Sequence, residues 1–109
     1  MAREITRGDI WTYEFAPPDK RRPVLVLTRQ GVIRFLRTVM VAPITSTIRG
    51  LPSEVMIGID DGLKRDCAVN LDHVQTVAKD RLRSYIGHLD REKMRAVCRA
   101  LNTAASCDE

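Results

Sequence analysis

Arg21-Arg22-Pro23-Val24-Leu25-Val26-Leu27-Thr28 and Val39-Met40-Val41-Ala42-Pro43-Ile44-Thr45-Ser46 decide the reading of this chain. Each is an aliphatic, β-branched run of strand length, and each ends in a polar group: a guanidinium before the first, hydroxyls after the second. If the two runs pair in one sheet, Arg22 and Thr45 share a site. A permanent cation and a hydroxyl donor would then meet where a phosphate can lie.

The rest of the chain repeats this short-strand pattern. Asp9-Ile10-Trp11-Thr12-Tyr13-Glu14-Phe15 alternates, setting Ile10 on one face and Trp11 and Tyr13 on the other. Ala16-Pro17-Pro18-Asp19-Lys20 cannot continue a ladder, because proline lacks the donor, so a turn precedes a strand starting at Pro23. Gln30-Gly31 breaks the connection to the run from Thr38 to Thr45, and Gly50-Leu51-Pro52 leads into a strand over 53–59. Asp60-Asp61-Gly62 is a turn, with glycine supplying the positive φ. Further runs at 67–71, 74–77 and 84–89 bring the count to five to seven strands at near-regular spacing, the signature of a small barrel or sandwich.

The end of the chain changes period. Asp90 is a good N-cap, Glu92 complements the dipole of the first turn, and Met94, Val97, Cys98 and Leu101 recur on one helical face. The predicted helix packs on the barrel, and Asn102 onward reads as a frayed tail. The fold class is therefore mainly β with a C-terminal helix, in one domain over residues 1–109.

Composition narrows the partners. The longest uninterrupted apolar run, Val39 to Ile44, falls far short of the roughly 20 residues of a membrane span, and the N-terminus carries no apolar signal region, so the expected compartment is the cytoplasm. Cys67, Cys98 and Cys107 are odd in number and widely spaced, so reduced and mostly buried thiols are expected. The net charge is +4, but through Gly50 nine basic residues face four acidic ones, while the remainder is acidic by one unit. Arginine far outnumbers lysine, and its planar fork suits phosphate or carboxylate. A polyanion or an acidic protein segment is the expected partner.

Familiar catalytic constellations are absent: no phosphate-binding glycine loop, no serine elbow and no metal-ligand cluster. No metal or cofactor is expected. His73 and His88 are an acid/base pair only if the fold unites two separate elements, and Asp60 and Asp61 read as a turn before they read as a cation site.

Five stretches in order, Arg7-Gly8-Asp9-Ile10-Trp11, Arg22-Pro23-Val24-Leu25-Val26, Val41-Ala42-Pro43-Ile44-Thr45-Ser46, Gly62-Leu63-Lys64-Arg65-Asp66-Cys67-Ala68-Val69 and Thr76-Val77-Ala78-Lys79-Asp80-Arg81-Leu82 with Ile86-Gly87, resemble the motif set of the MazF/PemK toxins. The resemblance runs from about Arg7 to the last helix. It implies an SH3-like β-barrel, shared with the CcdB toxins, that forms a homodimer. It further implies a sequence-specific endoribonuclease that cuts single-stranded mRNA without a ribosome or a metal, leaving 2′,3′-cyclic phosphate and 5′-hydroxyl ends. The partner so implied is a cognate antitoxin whose acidic, disordered segment covers the RNA groove. The family's two catalytic positions match Arg22 and Thr45, with Ser46 following in the usual place.

Lys20 and Arg21 beside the first position, Ser46 and Thr47 beyond the second, and Gln75 complete the expected RNA-contacting set together with Trp11, whose ring is either a base-stacking platform or part of the core. Two departures from the family stand out. The loop from Ala16 to Arg21 is shorter than the glycine-containing cover loop common there, and His73 and Gln75 replace the glutamine and arginine of many relatives. The competing classes are a gyrase poison of the CcdB branch, which needs a C-terminal aromatic anchor that Ala104–Glu109 lacks, and a non-catalytic RNA-binding barrel.

Overall fold

The structure is a computed structural model that describes residues 3–16 and 21–107. Its seven strands are β1 (Asp9–Glu14), β2 (Arg21–Val26), β3 (Thr38–Thr45), β4 (Glu54–Ile57), β5 (Cys67–Asn70), β6 (Gln75–Ala78) and β7 (Leu82–His88). A four-residue helix, α1 (Gln30–Ile33), follows β2, and the long helix α2 (Arg91–Ala105) follows β7. The sheet order is β4-β5-β3-β2-β1-β7, with β6 paired to β3 and every pairing antiparallel. The sheet is not closed, and with its C-terminal helix it fits the predicted barrel-like class.

Strand β3 organises the molecule because it is long enough to serve three neighbours. Val41–Pro43 pair with β2, Thr38–Val41 with β6, and Ile44–Thr45 with β5. Two cores result, one on each face. Ile10, Leu25, Ala42, Ile44, Val55 and Val69 join Met94, Val97 and Ala100 of α2 in the first. Trp11, Tyr13, Val24, Val26, Val39, Val41 and Ile33 form the second. Alternation along β2 and β3 feeds both, which is why the sequences of these two strands contain nearly continuous apolar runs. Val24, Leu25 and Val26 are completely buried, each contributing about 1.5–3 kcal/mol of transfer free energy.

Helix α2 begins as expected: the Asp90 side chain accepts from the Lys93 amide at 2.8 Å. It does not fray at Asn102. It continues through Ala105, because Leu101 and Ala104 still pack on the first core, and it ends at Ser106 in the left-handed region, φ 54°.

Other expectations shift in detail. β2 starts at Arg21 rather than Pro23, since Glu14 and Tyr13 stand opposite Arg21 and Arg22 and extend the ladder. Gln30-Gly31 does not break the chain but opens α1, whose Ile33 is drawn into the second core. The three thiols are free, yet only Cys67 is buried while Cys98 and Cys107 are exposed.

The Asp60-Asp61-Gly62 turn is a 3-10 turn (Ile59–Asp61) closed by Gly62 at φ +101°, and it is locked against β7. A side chain at Gly87 would collide with the Asp61 carbonyl, and one at Gly62 would stand 2.5 Å from the Ile86 carbonyl oxygen. The Asp61 carboxylate is buried and accepts from Lys93 Nζ at 2.7 and 2.8 Å and from the Gly58 amide at 2.9 Å. This acid is committed to holding α2 and the turn together. No helix among the described residues is long and apolar enough to cross a membrane.

Candidate active site

Register places the two residues singled out by the sequence. β2 and β3 pair with Val24 opposite Pro43 and Val26 opposite Val41. Carried two positions further, the same register sets Arg22 across from Thr45. Both belong to the face of Val24 and Val41, because opposed residues of an antiparallel pair share a face. The register of β3 with β5 (Ile44 opposite Val69) and of β5 with β4 (Glu54 opposite Asn70) brings Asn70 and Glu54 to this same face. The first core and α2 lie on the other side.

A cavity of about 280 Å³ opens there, lined by Arg22, Pro43, Ile44, Thr45, Thr47, Arg49, Glu54, Asn70 and His73. Arg22 is exposed and takes part in no ion pair among the described residues. Thr45 is half-buried, and its Oγ1 accepts from the Thr47 amide at 3.0 Å. With a lone pair occupied by backbone, the hydroxyl hydrogen is left to serve an acceptor in the cavity. Glu54 Oε1 accepts from the amides of Arg49 at 3.0 Å and Leu51 at 3.3 Å, tying down the link from β3 to β4. The lining carries two guanidinium groups and two hydroxyls against one carboxylate, Glu54, which backbone amides already engage, so it suits a phosphodiester rather than a neutral apolar ligand.

Other members of the predicted set fall elsewhere. Thr47 lines the cavity, whereas the exposed Ser46 does not. Arg21 alternates to the opposite face from Arg22 and lies 4.0 Å from Glu14, which is also bonded by Arg83 at 2.7 Å. That arginine pair holds the Glu14 carboxyl below its usual range, the hydrogen bond from Arg83 being the larger cause. Gln75 is exposed on β6, opposite Val41, and away from the cavity lining. Lys20 lies outside the described residues.

Trp11 is corrected from stacking platform to core: it is 6% exposed, its ring meets Tyr85 edge to face at 6.0 Å, and its indole N–H donates to Asp9 at 3.2 Å. His73 and His88 do not come together. His88 Nδ1 is 2.8 Å from Asp9 Oδ1 at the β1–β7 end, while His73 belongs to the cavity. Among the described residues no cluster of three or more His, Cys, Asp or Glu is placed to hold a metal ion.

Sequence reasoning did not assign Asn70, Arg49 and Glu54 to the site. A signal did exist for one of them, since Asn70 before Leu71-Asp72-His73 has the pattern of a capped turn, and its Oδ1 accepts from the Asp72 amide at 2.9 Å.

An open antiparallel sheet carrying one C-terminal helix thus sets a cation and a hydroxyl on one face at the end of its central ladder, over one cavity. Comparison with known proteins gives this arrangement a family. The sequence model described as "PemK-like, MazF-like toxin of type II toxin-antitoxin system" matches residues 6–105. The chain is 46% identical over 102 residues to the probable endoribonuclease MazF5 of Mycobacterium tuberculosis, covering 93% of each, and 36% identical to endoribonuclease EndoA of Bacillus subtilis, covering 89% of this chain and 90% of that one. Among solved structures it is similar to the Mycobacterium tuberculosis toxin MazF-mt6, with a TM-score of 0.83 and 38% identity over 90% of this chain and 96% of that one. It is also similar to a mycobacterial endoribonuclease solved in complex with its cognate antitoxin, with a TM-score of 0.84 and 27% identity over 94% and 96%. This chain belongs to the PemK-like, MazF-like toxin family.

Proposed function

We propose that this toxin is a ribosome-independent, sequence-specific endoribonuclease that cuts single-stranded RNA in the cytoplasm, with Arg22 and Thr45 at the scissile phosphate. The observation that carries this reading is the β2–β3 register, which puts a guanidinium with no ion pair among the described residues across from a hydroxyl, over one cavity. The named endoribonucleases among its relatives support the reaction class.

The substrate's own 2′-hydroxyl gives up its proton to solvent as its oxygen attacks the adjacent phosphorus, and the P–O5′ bond breaks. The electron pair leaves with O5′, which takes up a proton to become the 5′-hydroxyl of one product, while the 2′,3′-cyclic phosphate remains on the other. The protein then needs no nucleophile and no metal. Its task is to stabilise charge on the crowded phosphorane. Arg22 is suited to this as a fixed cation with several donors, and Thr45 as a hydroxyl donor to a non-bridging oxygen. Preorganised donors of this kind are worth ~10²–10³ in rate each. DNA lacks the attacking hydroxyl and survives.

The proposed assembly is a homodimer, with a cognate antitoxin whose acidic segment covers the basic groove. The exposed Ile48, Leu51 and Met56, on and before the edge strand β4, offer apolar surface to a second copy. Incubation of the purified chain with a long RNA in chelator tests the reading: cleavage with cyclic-phosphate ends supports it. Inhibition of DNA supercoiling would favour a gyrase poison, and a shifted but uncut RNA a non-catalytic binder.

A further inference from the structure

His73 is a cavity residue with no role in the scheme above, and its hydrogen bonding bears on which ring nitrogen carries the proton. It closes the 3-10 turn Leu71–His73 that follows β5. The Asn70 side chain caps that turn, and its Oδ1 is identified by the backbone N–H it accepts from Asp72 at 2.9 Å. The other end of the amide is therefore the NH₂ group, and it stands 3.2 Å from His73 Nδ1. A donor facing Nδ1 requires that nitrogen to be the bare acceptor. The proton of the neutral ring is then on Nε2, the ring's remaining polar atom, in a side chain that lines the cavity with Arg22 and Thr45. The charged groups sharing this space are Arg22, Arg49 and Glu54, and Asp72 in the same turn is engaged by the Ser53 hydroxyl at 2.6 Å.

We infer that His73 is a third donor to the scissile phosphate, presenting the Nε2–H of a neutral imidazole to a phosphoryl oxygen, and that Asn70 is the positioning residue that selects this tautomer. The inference rests on the endoribonuclease reading and adds a residue to it. A neutral imidazole is a poor acid, and its bare nitrogen is occupied by Asn70, so the ring neither gives nor takes a proton in the reaction. It stabilises charge, as an oxyanion donor does. Arg22 supplies the net charge, Thr45 and His73 supply direction.

The tautomer makes the inference testable. His73→Ala is expected to lower kcat/KM about 10²-fold, and His73→Gln, whose amide also offers an N–H, to recover at least tenfold of that loss. Asn70→Asp keeps an oxygen to cap the turn but puts an acceptor opposite Nδ1. The neutral ring then holds its proton on Nδ1 and turns a bare Nε2 to the cavity, and only imidazolium retains Nε2–H. Cleavage by Asn70→Asp, relative to the wild type at each pH, is therefore expected to be about tenfold lower at the alkaline end of its profile, where the neutral ring prevails, than at the acid end, because both protonation states of the wild-type ring carry Nε2–H. A variant profile parallel to the wild type overturns the tautomer argument. Wild-type cleavage with undiminished His73→Ala turnover overturns the donor role alone, whereas a wild-type chain that leaves RNA intact overturns the endoribonuclease reading and this inference together.

Discussion

Two corners of the molecule use the same kinds of side chain in opposite ways. Where α2 meets the 3-10 turn Ile59–Asp61, the Asp61 carboxylate is buried, saturated by Lys93 and a backbone amide, and packed against a glycine-to-glycine approach with β7. At the end of the β2–β3 ladder, the Arg22 guanidinium is exposed and faces an open cavity without a carboxylate partner among the described residues. A satisfied ion pair closes a corner, while a cation whose neighbouring acid, Glu54, is engaged by backbone amides keeps its interaction energy for a ligand. The contrast separates stability from function more sharply than burial or charge does alone.

The largest effect that would break this contrast is on cleavage. Arg22→Ala or Thr45→Ala is expected to reduce RNA cleavage at least ~10²-fold, with a melting temperature close to that of the wild type. Mutants that cut RNA at full rate, or that melt far below the wild type, would remove the distinction between the corners. Trp11→Ala tests the core assignment made for this ring: a loss of about 3 kcal/mol in denaturant unfolding is expected, against a small change in RNA affinity for the folded fraction. A base-stacking role would give the reverse pattern.

Lys93→Met is the matching test at the other corner. Leaving Asp61 buried without its cation is expected to cost about 2 kcal/mol of stability, read as a lower melting temperature, while turnover per folded molecule is unchanged. The sign with pH follows from the same pair. The hydrogen bond to Asp61 raises the Lys93 pKa, with burial opposing it, so the stabilisation is complete below the unfolded lysine value of about 10.4 and is lost as pH climbs through the higher folded value. The gap in melting temperature between wild type and Lys93→Met is thus constant from neutral pH to about 10 and narrows above it. The smallest effect is at Glu14, an exposed partner of two arginines. Its lowered pKa means that its contribution is present above the usual glutamate range and fades as acid carries the pH down through the folded value. Glu14→Gln therefore shifts the acid limb of the melting profile slightly and leaves the neutral melting temperature nearly unchanged.

Much of the fold was legible because strand and helix preferences are local. The aliphatic runs at 24–27 and 39–44 became β2 and β3, and the Asp90 cap with the Met94, Val97 and Leu101 stripe became α2. The errors arose where a distant contact outweighed a local signal, as when Ile33 drew Gln30-Gly31 into a helix and the core held α2 straight past Asn102. The site was half legible. Arg22 and Thr45 carried a motif, but Arg21 and Trp11 were misplaced because a polar or aromatic residue next to a site residue alternates to the other face or is claimed by the core. Asn70, Glu54 and Arg49 reach the cavity through the β3–β5 and β4–β5 pairings and the link between β3 and β4, which the local pattern does not encode.

The order of residues alone determined the alternation of faces along each strand, the cap and stripe of α2, and the presence of a guanidinium and a hydroxyl at the ends of two pairable runs. Those are consequences of periodicity and side-chain chemistry, which act over a few residues. Tertiary structure decided which strands became neighbours and in what register, and with it the walls of the cavity, the burial of Trp11 and the pairing of Asp61 with Lys93. These depend on the burial of two cores through contacts between residues far apart in the chain, a free energy that belongs to the assembled sheet and to no single segment of it.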